Sequence, residues 1–542
     1  MSGFNLPTSP GNEFLGAMLQ NENFLRLLQK KLGPLAKADT IDLATNLTWY
    51  DLSRTIQNLY PYRELIPCIS KLPRVPADGG NAHHWKRITA INTGNVSSGV
   101  SVGNRGARIQ ITEQDMVAVY RTMGLESSVP FEARLAAKNL NPEILGTAVN
   151  ATLRSVMIQE EQILINSNAS LPLGTATISS LTAGGSGGSF ASATVYVSVV
   201  ALTGMGLLAY TPYASGVGGV LGQVTKVNAD GSSDTYGGGS SQPSAVSNTS
   251  TTSGQIVTGT ATIIPGAAAY AWFVGTSATT SNLYLAGVTQ SNQAIFTAFP
   301  ANTNQPLSSL LVGSSFQDNS TNLLLPDGIL TQIFGAINGP DPGRAMATNR
   351  LLPTGVSLSA GGSLIYDMAA GNTGLTVSGS DIYEIDQLLQ GAYEQYKLGF
   401  SRILMSAADM RGSFGKMLGQ VGSNQNYRLL FDADEETGRI IAGRRVTSYF
   451  NKWMNNSLDA EVHPWVPAGT MILWSDRIPY ELAGVPNILE AKVRQDYYQI
   501  QWPWKSRRYE YGVYVDEVFP CYYTPAFAVI TNINQTAGSS TF

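Results

Sequence analysis

The chain has 542 residues, of which only 13% are charged, with 34 Lys and Arg against 38 Asp and Glu and a net charge of -4. An apolar fraction of 43% with 9% aromatics excludes wholesale disorder, and the near-neutral balance excludes a protein whose main task is to coat nucleic acid. Length alone predicts three or four domains, and two cysteines, Cys68 and Cys521, exclude a disulfide framework, leaving stability to packing or assembly.

The opening segment carries Asn12, Glu13, Asn21, Glu22 and Asn23 without a basic start and an apolar run, so no signal peptide is expected. No stretch is long and apolar enough to read as a membrane span, and an intracellular, unprocessed chain is the expectation. Asn23–Leu32 and Asp51–Leu59 read as helices, stopped by Gly33-Pro34 and Pro61. They are too short and separate to make a core and read as an arm over residues 1–78.

Residues 79–128 change character. His84–Asn92 alternates, Thr93–Gly99 is loop-like, and Ala107–Thr112 alternates again, which predicts a long β-hairpin with a loose tip. Such an element is unstable alone and leans on something else. Lys86, Arg87, Arg105 and Arg108 make it locally basic. They read equally as solvated strand faces and as contacts to a neighbouring subunit.

From Asn141 the pattern becomes helical, with Pro142 in the first turn. Ile144, Leu145, Ala148, Val149, Thr152, Leu153, Val156, Met157, Glu160, Ile163 and Leu164 recur at helical spacing, while Asn150, Arg154, Gln159 and Glu161 fall elsewhere. The spacing predicts one amphipathic helix of about six turns, ending at Asn166.

There the composition breaks. From residue 162 to 366 only eight charged residues occur, Lys226, Asp230, Asp234, Asp318, Asp327, Asp341, Arg344 and Arg350. This uncharged middle reads as short strands at Ala193–Val200, Gly222–Val227, Ile256–Ile263, Ala269–Val274, Asn282–Ala286 and Gln293–Phe299, parted by Gly/Ser/Asn runs. Strands of this kind predict a small antiparallel sandwich with Trp272 as its large core aromatic.

After it, Ser380 is the expected N-cap of a second long helix, with Asp381 and Glu384 in the first turn and a stop near Lys397-Leu398-Gly399. Ser401–Ser406 reads as a buried strand and Met410–Leu418 as a helix. Tyr509–Pro520 and Ala526–Thr531 read as late strands. The class outside the insertion is α+β.

The search for chemistry finds little. His83, His84 and His463 are the three histidines. Adjacent strand histidines point to opposite faces and make poor joint ligands, and His463 before Pro464-Trp465 reads as a turn cap or a packing group. Gly184–Gly188 matches GxSxG without the strand–turn–helix context that a nucleophile elbow needs. Gly412–Lys416 lacks the Gly spacing and the following Ser/Thr of a phosphate loop, and Asp432–Glu436 reads as a solvated turn. No catalytic residue, cofactor-binding residue or metal ligand is expected.

The order of arm, long hairpin at 79–115, long helix at Asn141–Asn166, second α+β region over about 370–490 and late strands over about 491–533 resembles the major capsid proteins of tailed bacteriophages with the HK97-type fold. The middle, through Ala267–Thr276, resembles an inserted fibronectin type III or immunoglobulin-like module. The resemblance implies an α+β HK97-like capsid fold of N-terminal arm, extended loop, spine helix and axial domain, carrying an inserted all-β sandwich. The implied division is arm 1–78, extended loop 79–128, peripheral domain with spine helix 129–169, insertion 170–302, linker or axial extension 303–369, axial domain 370–490, and return strands with a tail 491–542. It further implies a non-enzymatic structural protein in the virion capsid, assembled in the host cytoplasm without cofactors. Its partners would be further copies of itself in hexamers and pentamers, packaged double-stranded DNA held non-specifically on the inner face, and scaffold, portal and decoration proteins, with no membrane. The residues of a Lys–Asn cross-link, which one branch of the family uses, find no place here. The competing readings are an encapsulin-like nanocompartment shell, an extracellular β-modular adhesin and, last, an enzyme.

Overall fold

The computed structural model describes residues 62–91, 99–106, 108, 111–136, 144–214, 216–228, 231–335, 352–368, 374–378, 381–414, 448–478 and 484–534. The arm helices expected at 23–32 and 51–59, most of the hairpin tip, the helix start at Asn141-Pro142, the cap Ser380, residues 415–418 and the acidic run 432–436 lie outside them.

In chain order the first elements are β1 (Arg74–Pro76), β2 (Ala82–Ile91), β3 (Ile111–Val119), β4 (Arg121–Pro130), α1 (Phe131–Ala136) and α2 (Ile144–Asn166). The uncharged middle contributes β5 (Ile178–Gly184), β6 (Ala193–Leu202), β7 (Ser247–Thr251), β8 (Ile256–Ala261), β9 (Ala269–Gly275), β10 (Leu283–Thr289) and β11 (Gln293–Phe296). Then come α3 (Ile329–Phe334), β12 (Val356–Leu358), β13 (Leu364–Asp367), α4 (Tyr383–Tyr396), β14 (Arg402–Met405), β15 (Ser448–Asn451), β16 (Asn456–Val462) and β17 (Met471–Trp474). The chain closes with β18 (Ala491–Gln501), β19 (Arg508–Val518) and β20 (Phe527–Thr531). It is a mixed α+β fold, rich in strands and poor in helices.

Outside the middle, two sheets share one core. The first has the order β1-β18-β19-β4, and α2 packs across β4 and β19. The second has seven strands in the order β12-β13-β20-β17-β14-β16-β15. Leu164 and Ile165 of α2, Ile385 and Leu389 of α4, Ile403 of β14, Ile472 of β17 and Val515 of β19 all belong to a single apolar cluster. The late strands therefore separate: β18 and β19 join the sheet beneath α2, whereas β20 lies inside the seven-stranded sheet, parallel to β13 and antiparallel to β17.

Helix α2 departs from the sequence reading at its C-terminal end. Glu161, expected away from the apolar face, is fully buried beside Glu160, Ile163, Leu164 and Ile165. The last turns are enclosed on every side, so the two-sided pattern applies only to the earlier part of the helix. Helix α4 ends as expected, at a left-handed Lys397 with φ 54°, but Ile382 holds its N-cap position and no side chain caps it. Glu384 of the first turn instead accepts the Thr376 amide at 3.0 Å. Past β14, Ser406 caps a short helical turn, and Met410–Phe414 is a π turn.

The middle builds two facing sheets, β7-β6-β9-β10 and β11-β8-β5. Val195, Val197, Val199, Trp272 and Val274 from the first meet Val257, Ala294 and Phe296 from the second. Trp272 is fully buried, and its Nε1 donates to Thr289 Oγ1 at 2.8 Å, which satisfies the one polar atom of the ring. The far face of β6 and β9 is covered too: Val200, Ala271, Phe273 and Leu285 lie under Val220, Leu307 and Leu310. This is why β9 reads Ala-Tyr-Ala-Trp-Phe-Val-Gly with no polar position, since a strand buried on both faces has none to offer.

Candidate functional site

The β2–β3 hairpin presents two unlike faces. His83 and Trp85 turn inward, where the indole packs edge-on against Tyr522 with ring centroids 5.4 Å apart. Tyr522 also meets His83 Nε2 at 3.2 Å and donates to Glu490 Oε1 at 2.6 Å. Burial, then the Glu490 carboxylate, pushes the Tyr522 phenol up, keeping it a donor. Burial and the neighbouring Lys492 pull the His83 imidazole down, favouring its neutral form. The outward face carries Ile88, Ile111, Val117 and Val119, each about half exposed, around the cross-strand pairs Lys86–Asp115 and Ile88–Glu113.

The four expected contact residues do not converge. Lys86 points outward and sits 3.8 Å from Asp115, both side chains about three-quarters exposed, a pair that contributes under about 1 kcal/mol. Arg87 takes the opposite face and is half-buried. Arg105 and Arg108 are exposed in the segment between the strands. The same outer face exposes Ile88, Ile111, Val117 and Val119, interleaved with Lys86, Glu113 and Asp115. Ile111, Val117 and Val119 at alternate positions of β3 are its signal in the sequence.

Under the first sheet lies a buried charge cluster assembled from residues far apart in the chain. Arg74 of β1 donates to Glu160 of α2 at 2.7 Å and to Glu517 of β19 at 3.0 Å, and reaches the exposed Asp496 at 3.1 Å. Its guanidinium lies 4.4 Å from the centre of the Tyr497 ring, whose hydroxyl donates to Glu160. Two fully buried carboxylates thus share one guanidinium. Burial first, then the charge of Glu160, raises the Glu517 carboxyl well above its ordinary value, against the pull of Arg74. The cluster pins β1, α2, β18 and β19 together.

A second buried centre joins Cys68, Glu161 and His463, whose ligand-type atoms lie within 4.8 Å of one another. Glu161 accepts the amides of Cys68 and Ile69 at 2.8 and 2.7 Å, and its Oε1 lies 2.7 Å from His463 Nε2. The other imidazole nitrogen, Nδ1, accepts the Trp465 amide at 3.2 Å, which places the ring proton on Nε2, facing the carboxylate. Burial, then Glu161, pushes the Cys68 thiol up and keeps it protonated. Imidazole, carboxylate and thiol are all of metal-ligand type, but the first two are spent on hydrogen bonds. The arrangement is a staple joining the 67–69 turn, α2 and the 463–465 turn, and it fits a metal poorly. His463 caps a turn, as read from the sequence, and binds α2 as well.

The middle leaves and re-enters the rest beside the end of α2. The Gly328 amide donates to the Ser167 carbonyl at 2.9 Å, and Thr331 Oγ1 donates to the same carbonyl at 2.6 Å. Asp327 accepts the amides of Ala169 and Ser170, and Asp318 accepts that of Gly174 at 2.7 Å. Two of the eight charges of the middle are thus committed at its base. Gly328 has no alternative, because a Cβ there would lie 2.6 Å from the Ile163 carbonyl oxygen and 2.8 Å from the Ser167 amide nitrogen. The expected non-elbow at Gly184–Gly188 runs as strand end and loop into β6 without a helix. Among the described residues no helix is long and apolar enough to cross a membrane.

One exposed feature escaped the sequence reading altogether. The turn between β18 and β19 reads Trp502-Pro-Trp-Lys-Ser-Arg507 before Arg508 opens β19, and every one of these residues is exposed. Aromatics alternating with cations was the available signal.

No protein-family profile and no curated protein matches the chain. Among solved structures it is similar to the capsid of a native GTA particle, at 8% identity and a TM-score of 0.40, covering 90% of this chain and 96% of that one. It is similar to the capsid of cyanophage A-1(L), at 10% identity and a TM-score of 0.39, covering 92% and 99%. The capsid of the Myoviridae phage XM1 gives 7% identity and a TM-score of 0.34, covering 89% and 97%.

Proposed function

We propose that the chain is the structural subunit of an icosahedral capsid of the HK97 type, a non-enzymatic protein that self-associates in hexamers and pentamers around packaged double-stranded DNA. The observation that carries this reading is the β2–β3 hairpin. Its inner face is anchored on Tyr522, while its outer face exposes Ile88, Ile111, Val117 and Val119 around Lys86, Glu113 and Asp115. A two-stranded element gains little stability alone, and half-exposed apolar side chains on a face it does not bury are surface that association can cover. A further copy of the same chain is the occupant this reading assigns, with Lys86 within that contact, Arg105 and Arg108 beyond its tip, and Arg87 on the other face of the hairpin.

The remaining parts have roles consistent with it. Helix α2, stapled by Glu160 and Glu161 at the end where the two sheets share a core, serves as a rigid spine. The middle, which leaves and re-enters the fold beside the end of α2, serves as an inserted immunoglobulin-like decoration pointing away from the packaged DNA. Scaffold, portal and decoration proteins are the partners that assembly in a host cytoplasm would require. Electron microscopy of the overexpressed full chain tests the reading. Closed shells, or pentameric and hexameric rings, support it; a chain that stays monomeric at high concentration overturns it.

A further inference from the structure

The turn between β18 and β19 is unusual in chemistry. Turns favour Gly, Asn, Asp and Ser, for reasons of backbone freedom and local hydrogen bonding. This one places Trp502 and Trp504 in solvent, 36% and 68% exposed, with Lys505, Arg507 and Arg508 beside them. A shallow recess of about 230 Å³ opens between the turn and α1, lined by Phe131, Trp504, Arg507, Arg508 and Tyr509. Its floor is aromatic: Phe131 and Tyr509 stack at 6.1 Å and 24°, and Trp504 meets Tyr509 edge-on at 5.5 Å.

The rim is cationic. Arg134 lies 5.2 Å from the centre of the Tyr509 ring and donates to its hydroxyl at 2.8 Å. Arg507 lies 5.9 Å from the Phe131 ring centre and pairs with the exposed Glu132 at 2.9 Å. Each guanidinium thus sits within 6 Å of a ring centre, with one N–H group engaged and the others at the rim. Planar forks of this kind suit phosphate oxygens, and the π-face beside them suits a base of any identity.

We propose that Trp504, Phe131 and Tyr509, with Arg134, Arg507 and Arg508, form a sequence-tolerant nucleic-acid contact site. Phosphates lie on the three guanidiniums, and a base or sugar face lies on Trp504 at the mouth of the recess. The proposal deepens the shell reading, on which it rests only for the origin of the nucleic acid. An anionic membrane would be served by the charges but gives no reason for aromatic rings set among the guanidiniums.

The test uses the purified full chain and fluorescent oligonucleotides of about 30 units, single-stranded and duplex, with anisotropy measured across a salt series. R134Q/R507Q/R508Q is expected to lower the slope of log K against log salt by about 2–3 in either arm, since each phosphate contact contributes about 0.7–0.9. W504A is expected to weaken the single-stranded arm about ten-fold or more at unchanged slope, the size of one lost base stack. A loss confined to the single strand identifies the recess as a base pocket; an equal loss in both arms identifies it as a backbone cradle. Unchanged affinity and slope in both arms, with a thermal melt like that of the parent, overturns the proposal. So does binding to phosphatidylserine vesicles that depends on these residues while the oligonucleotides ignore them. Micrographs of the same preparations keep the two readings apart. Shells without any oligonucleotide effect sink the contact site alone, and an oligonucleotide effect without shells sinks the capsid reading alone.

Discussion

The Gly328 amide and the Ser167 carbonyl are bonded at 2.9 Å, so the chain re-enters the helical region beside the point where it left. The middle enters and leaves there, and it also touches the turn before β17, where Gln290 lies against Gly469. Joining Ser167 to Gly328 through a short linker, without residues 168–327, is therefore expected to leave the two-sheet core folded, with a cooperative melt and a monodisperse elution profile. Removing only 170–300 is expected to aggregate, because Leu307 and Leu310 would lose the β6–β9 face they cover. Size-exclusion chromatography of both deletions decides the matter, and a soluble short deletion would refute the boundary.

The Glu517 carboxyl, raised by burial and by Glu160, binds a proton in the folded chain over a range where the unfolded chain has released it. The stabilisation is complete below the ordinary value of 4.5 and is lost as pH rises through the folded value. Denaturant midpoints are thus expected to fall as pH is raised above about 5, by at most ~1.4 kcal/mol per pH unit from this one proton. Asp327 and Asp367, also raised by burial, add to the same slope. E517Q isolates the contribution: it matches the parent near pH 5, exceeds it at pH 8, and has a shallower pH profile. Parallel profiles would show that the pair holds no proton.

Removing Arg74 leaves two buried carboxylates with no cation, a change expected to cost ~3–5 kcal/mol. E161A is expected to cost a similar ~3–5 kcal/mol, since the Cys68 and Ile69 amides and His463 lose their acceptor together. Urea unfolding of each variant measures both. A loss under about 1 kcal/mol would place these clusters with ordinary surface pairs.

Trp272→Ala removes the central side chain of the sandwich core and its bond to Thr289, with an expected loss of ~3–5 kcal/mol. Because the sandwich cluster is distinct from the cluster shared by the two sheets, calorimetry is expected to resolve a second, earlier transition. A single transition shifted as a whole would mean that the middle and the two-sheet core unfold together.

Charged substitutions on the outer hairpin face, such as V117E with I88K, are expected to leave the thermal melt within about 1 °C while abolishing particles in micrographs, because surface changes away from buried features cost under about 0.5 kcal/mol. Trp85→Ala acts from the inner face and is expected to loosen the hairpin, visible as faster amide exchange in β2 and β3. Particles that persist in the V117E/I88K variant would remove the outer hairpin face as the basis of assembly.

Much of the architecture is legible because it is local. The hairpin, the long helix and strands such as β6 and β9 declare themselves through periodicity within one element. What is hidden depends on partners far away in the chain. Glu161 looks like a surface residue until Cys68 and His463, 93 and 302 positions distant, close over it. The placement of β20 beside β13 and β17 is likewise a matter of pairing, which its run Phe-Ala-Val-Ile-Thr does not encode. The cationic turn was overlooked for the opposite reason: it is fully local, but its meaning rests on rings supplied by α1.

The uncharged middle carries one more consequence. Surface forces between charged proteins are set by ions and weaken over about 8–10 Å at moderate salt. A portion with so few charges, two of them committed at its base, gives dissolved ions almost nothing to screen. A contact on its flanks made through hydroxyls, amides and shape is expected to depend far less on moderate salt than a contact between charged faces.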